Sequence, residues 1–178
     1  MIARLLTPLL RFLRAREGVS AVEFALLAPV LIVMYFGLAE LSQAFMAQRR
    51  TQHTASTIGD LVAQARSVSS SDLADIFTIG KLVMKPFTTT GMTQRISSVT
   101  MTGGVAKVDW SSGSGISARS TGSSVTVPAN LMSNGESIVM AEVSYVYHSP
   151  ADEILPNAIT FNQTYYLRPR LVDKVPKT

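Results

Sequence analysis

One carboxylate sits where water is scarce. Glu23 stands inside the stretch REGVSAVEFALLAPVLIVMYFGLAE, residues 16–40, with Ala21, Val22, Phe24 and Ala25 around it. At the centre of a membrane-spanning helix an acidic residue costs roughly 2.5–3.5 kcal/mol, so such a residue argues for a role. The plainer alternative is that Glu23 snorkels to the headgroups.

Other residues could in principle do chemistry. His53 and His148 are the two histidines, and a Ser–His–Asp site assembles in space and not along the chain. Asp152 and Glu153 pair two carboxylates between Pro150 and Pro156, a context that suits a solvated turn better than acid/base work. The block Gly113-Ser-Gly-Ile-Ser-Ala118 spells a dinucleotide fingerprint, but Arg119-Ser-Thr-Gly-Ser-Ser follows it where a helix N-terminus would have to hold a phosphate. Asn162-Gln-Thr164 spells a glycan acceptor inside a predicted strand. Arg168-Pro-Arg170 is either a proline-stiffened tail with solvated charges or a contact for a partner's carboxylate, which guanidinium geometry suits. With no cysteine, thiolate metal sites and cysteine nucleophiles are excluded. No catalytic, cofactor or metal constellation emerges, and the chain reads as a non-enzyme.

The elements that position Glu23 follow from hydropathy. The 178 residues are 47% hydrophobic and 16% charged, against about 25% charged in ordinary domains. Phe24–Ala39 carries no charge, and Val19–Ala39 reaches the roughly 20 residues that a span needs. Pro29 lies within it, removing a backbone hydrogen bond and predicting a kink. Arg4, Arg11, Arg14 and Arg16 precede the span, and no basic residue follows until Arg49. The positive-inside rule keeps the N-terminus cytoplasmic and sends the remainder across. Most of the net charge of +4 therefore belongs to the leader, and the basic face of a nucleic-acid binder is missing.

Arg16–Phe24 reads R-E-G-V-S-A-V-E-F, a basic leader ending in Gly18 with glutamate five residues on. This resembles the class III signal of type IV pilins and pseudopilins. Followed by A-L-L-A-P-V-L, it is similar to the TadE/TadG-like minor pilins of the tight-adherence (Tad) pilus, whose opening pairs glutamate with an aromatic, here Phe24, and then a proline, here Pro29. E-V-S-Y-V-Y at 142–147 and R-P-R at 168–170 look like one branch of that family. The resemblance implies cleavage by a prepilin peptidase between Gly18 and Val19. Glu23 would then lie about one turn from the new amine, near the positive end of the helix dipole, with that amine as countercharge in a neighbouring subunit. Longer relatives carry a D-x-S-x-S metal motif. Asp109-Trp-Ser-Ser-Gly has glycine where its second serine belongs, so a short, TadE-sized member is implied.

Beyond the span, Leu38, Leu41, Phe45, Gln48, Gln52, Ala55, Ile58, Val62 and Ala65 recur at three and four, predicting one helix that continues to about 66. SVSSS at 67–71 breaks it, and a short helix from Asp72 stops before Pro86. Strands are predicted at 96–101, 105–110, 125–127, 137–147 and 160–167, with Gly103-Gly104 as a hairpin turn. The Ser/Gly-rich stretch 111–124 reads as a flexible loop. The expected fold is α+β and pilin-like: leader 1–18, transmembrane helix 19–40, continuing helix 41–66, and an outer domain 67–178 with an antiparallel sheet.

The function that follows is a minor pilin or pseudopilin, anchored in the inner membrane with its C-terminal domain periplasmic or displayed on an adhesive pilus. Its partners would be the prepilin peptidase, sister minor pilins, the major pilin, the inner-membrane platform and the lipid bilayer, with no nucleic acid and no cofactor. Gly18 and Val19 would serve processing, Glu23, Phe24 and Pro29 assembly, and Arg168 and Arg170 a partner contact. Two rivals make different predictions. An uncleaved single-pass scaffold would ignore changes at Gly18 or Glu23. An anchored hydrolase would gather 111–124, His148 and Asp152 into one pocket.

Overall fold

The computed structural model describes residues 18–149 and 158–178. The arginines of the leader, and Asp152 and Glu153, lie outside the described residues. Among the described residues two helices, α1 (Val19–Ala63) and α2 (Ser70–Val83), precede four strands, β1 (Thr93–Thr102), β2 (Val105–Ser114), β3 (Ser137–Tyr147) and β4 (Ile159–Leu167). The strands form one antiparallel sheet in the order β2-β1-β3-β4, the expected α+β class.

Local chemistry explains the boundaries. Ser69 caps α2 by accepting from the Asp72 amide at 3.1 Å while Asp72 accepts from the Ser69 amide at 2.8 Å, a capping box that starts the helix two residues earlier than predicted. Gly103 and Gly104 both take positive φ, 61° and 77°, the requirement of a two-residue hairpin turn between β1 and β2. β2 runs on to Ser114, so the Ser/Gly loop starts at Gly115 and not at 111. The predicted strand at 125–127 is instead a loop edge: Ser124 bridges Lys107, and the Val125 amide donates to Ala106. α1 ends at Ala63 and not at 66.

The sheet separates two cores. Val139, Ala141, Val143, Tyr145 and Tyr147 face the helices with Ile58, Val62, Leu73 and Phe77, whereas Ile138 and Met140 face the far side with Val99, Val108 and Met132. In β2 the alternation breaks, since Val108 joins the far core and Trp110 the helix-side core. A bulge explains this: Ser98 pairs with Trp110 and Val99 with Val108, leaving Asp109 as the extra residue. The C-terminal tail straps this edge, with Trp110 Nε1 donating to the Val175 carbonyl at 2.7 Å and Val68 exchanging backbone bonds with Pro176 and Thr178.

α1 meets β3 and β4 through Glu40, Ala44, Ala47, Thr51, Thr54, Ala55, Ile58, Gly59 and Val62. The expected stripe meets the domain from Ala55 onward, whereas Leu38, Leu41 and Phe45 point outward at 61%, 45% and 56% exposure, Leu38 within the part of the helix expected in lipid. Small residues carry the contact because the helix lies close to the sheet. A Cβ on Gly59 would stand 2.5 Å from Leu167 Cδ1 and 3.0 Å from Ala141 Cβ. Gly59→Leu is therefore expected to destabilise the domain by about 2 kcal/mol through overpacking, despite the roughly 1 kcal/mol of helix propensity gained. Thermal unfolding of the full chain in detergent micelles checks it.

Candidate functional site

The outward side of α1 is the most unusual surface of the molecule. Phe24, Leu27, Leu31, Met34, Leu38 and Phe45 are each more than half exposed, and no residue of the helix's most apolar 18-residue window is buried. By length and composition α1 is able to cross a membrane. A soluble domain rarely leaves so continuous an apolar surface open to water.

Glu23 lies on this exposed segment and makes no ion pair among the described residues. The first turn of α1 holds no acidic residue. Glu23 opens the second turn, so the dipole favours it less than a first-turn position would. Phe24 is 68% exposed, and Pro29 lies inside the helix, where it cannot donate to the Ala25 carbonyl. Gly18 takes φ −90°, and a Cβ there would meet nothing within 4 Å. Nothing among the described residues demands glycine at that position.

At the base of the outer domain a second carboxylate is deeply placed. Glu40 is 4% exposed, packed where α1 first meets the domain. Tyr147 lies near it, edge-on to Phe87 and tilted against Phe161, and its hydroxyl is pushed above the usual tyrosine value by burial and then by the Glu40 charge. In the sequence Glu40 only bounds the uncharged run, and no local signal there indicates burial.

Arg168 and Arg170 are engaged within the chain. Arg168 donates from Nη1 and Nη2 to Glu136 at 3.1 and 3.0 Å, and Arg170 pairs with Asp60 while its amide donates to the Ala63 carbonyl at the end of α1. A partner's carboxylate would have to displace Glu136 or Asp60. Asp109, from the near-miss metal motif, accepts from Thr100 at 2.6 Å, Ser98 at 3.2 Å and Lys174 at 2.6 Å. It is a polar anchor of the bulge.

A residue cluster that sequence reasoning missed is centred on Glu142. Arg95 donates to both its oxygens at 2.7 and 2.9 Å, and Arg119 to both at 3.3 and 2.8 Å. Arg119 thereby ties the Ser/Gly loop to the sheet. The cavity beside it is lined by Thr93, Arg95, Ile116, Glu142, Ser144 and Asn162 among others and includes no histidine. Ser111 Oγ bonds Ser97 at 2.9 Å and His148 is exposed after β3, while Asp152, the carboxylate of the hydrolase reading, lies outside the described residues.

Known proteins supply one match. Residues 18–59 match the TadE-like protein family model. The match begins at Gly18 and stops four residues before the end of α1, so it covers the exposed rod and its first contacts with the domain. No curated protein and no solved structure matches the chain. A TadE-like segment points to a Tad pilus-associated protein, and the apolar helix with it points to membrane anchoring. The TadE-like family is a pilus component with no known enzymatic role.

Burial pushes the Glu142 carboxyl up, but the hydrogen bonds from Arg95 and Arg119 outweigh it and hold the group below its ordinary 4.5. The unfolded chain then takes up the proton more readily than the folded one. The stabilisation is complete above pH 4.5 and drains away as pH falls through the lower folded value. Glu142→Gln is expected to cost about 2 kcal/mol near neutrality and to flatten the acid limb of a stability-against-pH curve measured by urea unfolding.

Proposed function

We infer that this protein is a minor pilin, or pseudopilin, that takes part in assembling a Tad-type adhesive pilus. α1 anchors it in the inner membrane with the N-terminus cytoplasmic and the outer domain periplasmic. The observation that carries this reading is the division of labour along α1. Small residues from Glu40 to Ala63 dock the domain, while the large apolar residues from Phe24 to Phe45 remain free for lipid or neighbouring helices.

Processing between Gly18 and Val19 by a prepilin peptidase fits the same picture. Neither the backbone angle nor any neighbour among the described residues requires glycine at position 18, which leaves it available for recognition by a peptidase. Cleavage there would place a free amine on Val19, the first residue of α1. Glu23 would then meet the amine of a neighbouring subunit, registering one helix against the next. Sister minor pilins, the major pilin and the inner-membrane platform are the partners this arrangement needs. Arg168 and Arg170 stay more than half exposed on the outer domain and are secondary candidates for contact.

Mass spectrometry of the N-terminus of protein recovered from its native membrane tests the reading. A chain that starts at Val19 is expected, and Gly18→Ala should leave the leader attached without altering thermal unfolding. An intact leader on the wild type, or a start beyond Ala47, rules out this maturation. Glu23→Gln is expected to reach the membrane yet lower incorporation into pili at least tenfold; unchanged incorporation removes Glu23 from assembly.

A further inference from the structure

Where the outer face of the bilayer meets this protein follows from the exposure of α1. On the side turned away from the domain, large apolar residues are exposed from Phe24 to Met46, and Leu41, Phe45 and Met46 lie past Glu40. Glu40 does not end the apolar surface, because the domain covers it. Phe24 to Met46 is 23 residues, or roughly 34 Å at 1.5 Å per residue. A hydrocarbon core of about 30 Å accepts that length with a modest tilt. The next exposed residues on α1 after Met46 are Arg49 and Arg50.

These arginines line a groove of about 360 Å³ together with Met46, His53, Pro86 and Phe87. Arg50 donates to the Val83 carbonyl at 3.1 Å, closing the C-terminus of α2. Neither arginine pairs with a carboxylate among the described residues, whereas Arg95, Arg119, Arg168, Arg170 and Lys174 all do. Helical side chains slant toward the N-terminus, which on this helix means toward the bilayer. The groove therefore joins two guanidinium groups that have no carboxylate partner among the described residues to an apolar floor, one turn above the top of an apolar rod.

We propose that this groove is a headgroup site for an anionic phospholipid of the outer leaflet, with Arg49 and Arg50 holding the phosphate and Met46 and Phe87 covering the upper part of the acyl chains. It rests on the membrane-anchored reading above and adds a specific lipid class to it. A lipid is favoured over a protein partner because charge and grease meet here in the order that a bilayer presents them.

The test uses the full chain reconstituted in vesicles of equal parts phosphatidylglycerol and phosphatidylcholine, then released into mild detergent for native mass spectrometry. Wild-type protein is expected to retain phosphatidylglycerol in preference to phosphatidylcholine. Arg49→Gln, which leaves the Arg50 cap on α2 intact, should lower that retention about fivefold, and Arg49→Gln with Arg50→Gln further still. Arg66→Gln, beyond the end of α1, should change nothing. Equal retention by wild type and Arg49→Gln in inserted protein overturns the headgroup site alone. Displacement by millimolar inorganic phosphate overturns the lipid in favour of a free-anion site. Failure of the chain to insert overturns the anchoring reading and the site with it.

Discussion

Close approach between α1 and the sheet is the constraint from which the rest follows. Ala44, Ala47, Thr51, Ala55 and Gly59 leave room for the helix to lie against β3 and β4, and Gly59 has almost no clearance from Leu167 and Ala141. A helix that docks through small side chains must carry its large ones elsewhere. Leu38, Leu41, Phe45 and Met46 are accordingly outside, on the side continuous with the span below. Burial of small residues contributes little per side chain at about 25 cal/mol per Å², so the domain draws most of its helix-side core from Ile58, Val62, Leu73, Phe77 and the aromatic residues of β3.

That arrangement also explains which parts of the fold were legible in the sequence. β3 was readable to the residue, because Ile138 and Met140 alternate with Val139 and Ala141 and both faces are buried by different cores. The rotational phase of α1 below Ala55 was not. Periodicity points at the greasiest stripe, and here that stripe faces away from the domain, while the contact runs through Glu40, Ala44, Ala47 and Thr51. The bulge at Asp109 was hidden for another reason: nothing in Val-Asp-Trp announces an extra residue, and it appears only when β2 is laid against β1.

The candidate site divides along the same line. Glu23 is conspicuous because it violates a local rule, an acid in an apolar run, so composition alone exposes it. Glu142 violates nothing locally. Its significance arises when the long-range pairing of β1 with β3 brings Arg95 alongside and a loop delivers Arg119, residues 47 and 23 positions away. Arg168 and Arg170 show the converse. The sequence left them as either solvated charges or a contact for a partner, and the fold supplies Glu136 and Asp60 to meet them.

One uninterrupted helix from Val19 to Ala63 serves both as the apolar rod and as a wall of the domain core, with no linker between the two uses. Torque applied at either end is therefore transmitted to the other. Any neighbour that grips the lower half of the rod fixes the compass bearing of the loops far above it. The bearing of the sheet domain is thereby tied to that of the rod.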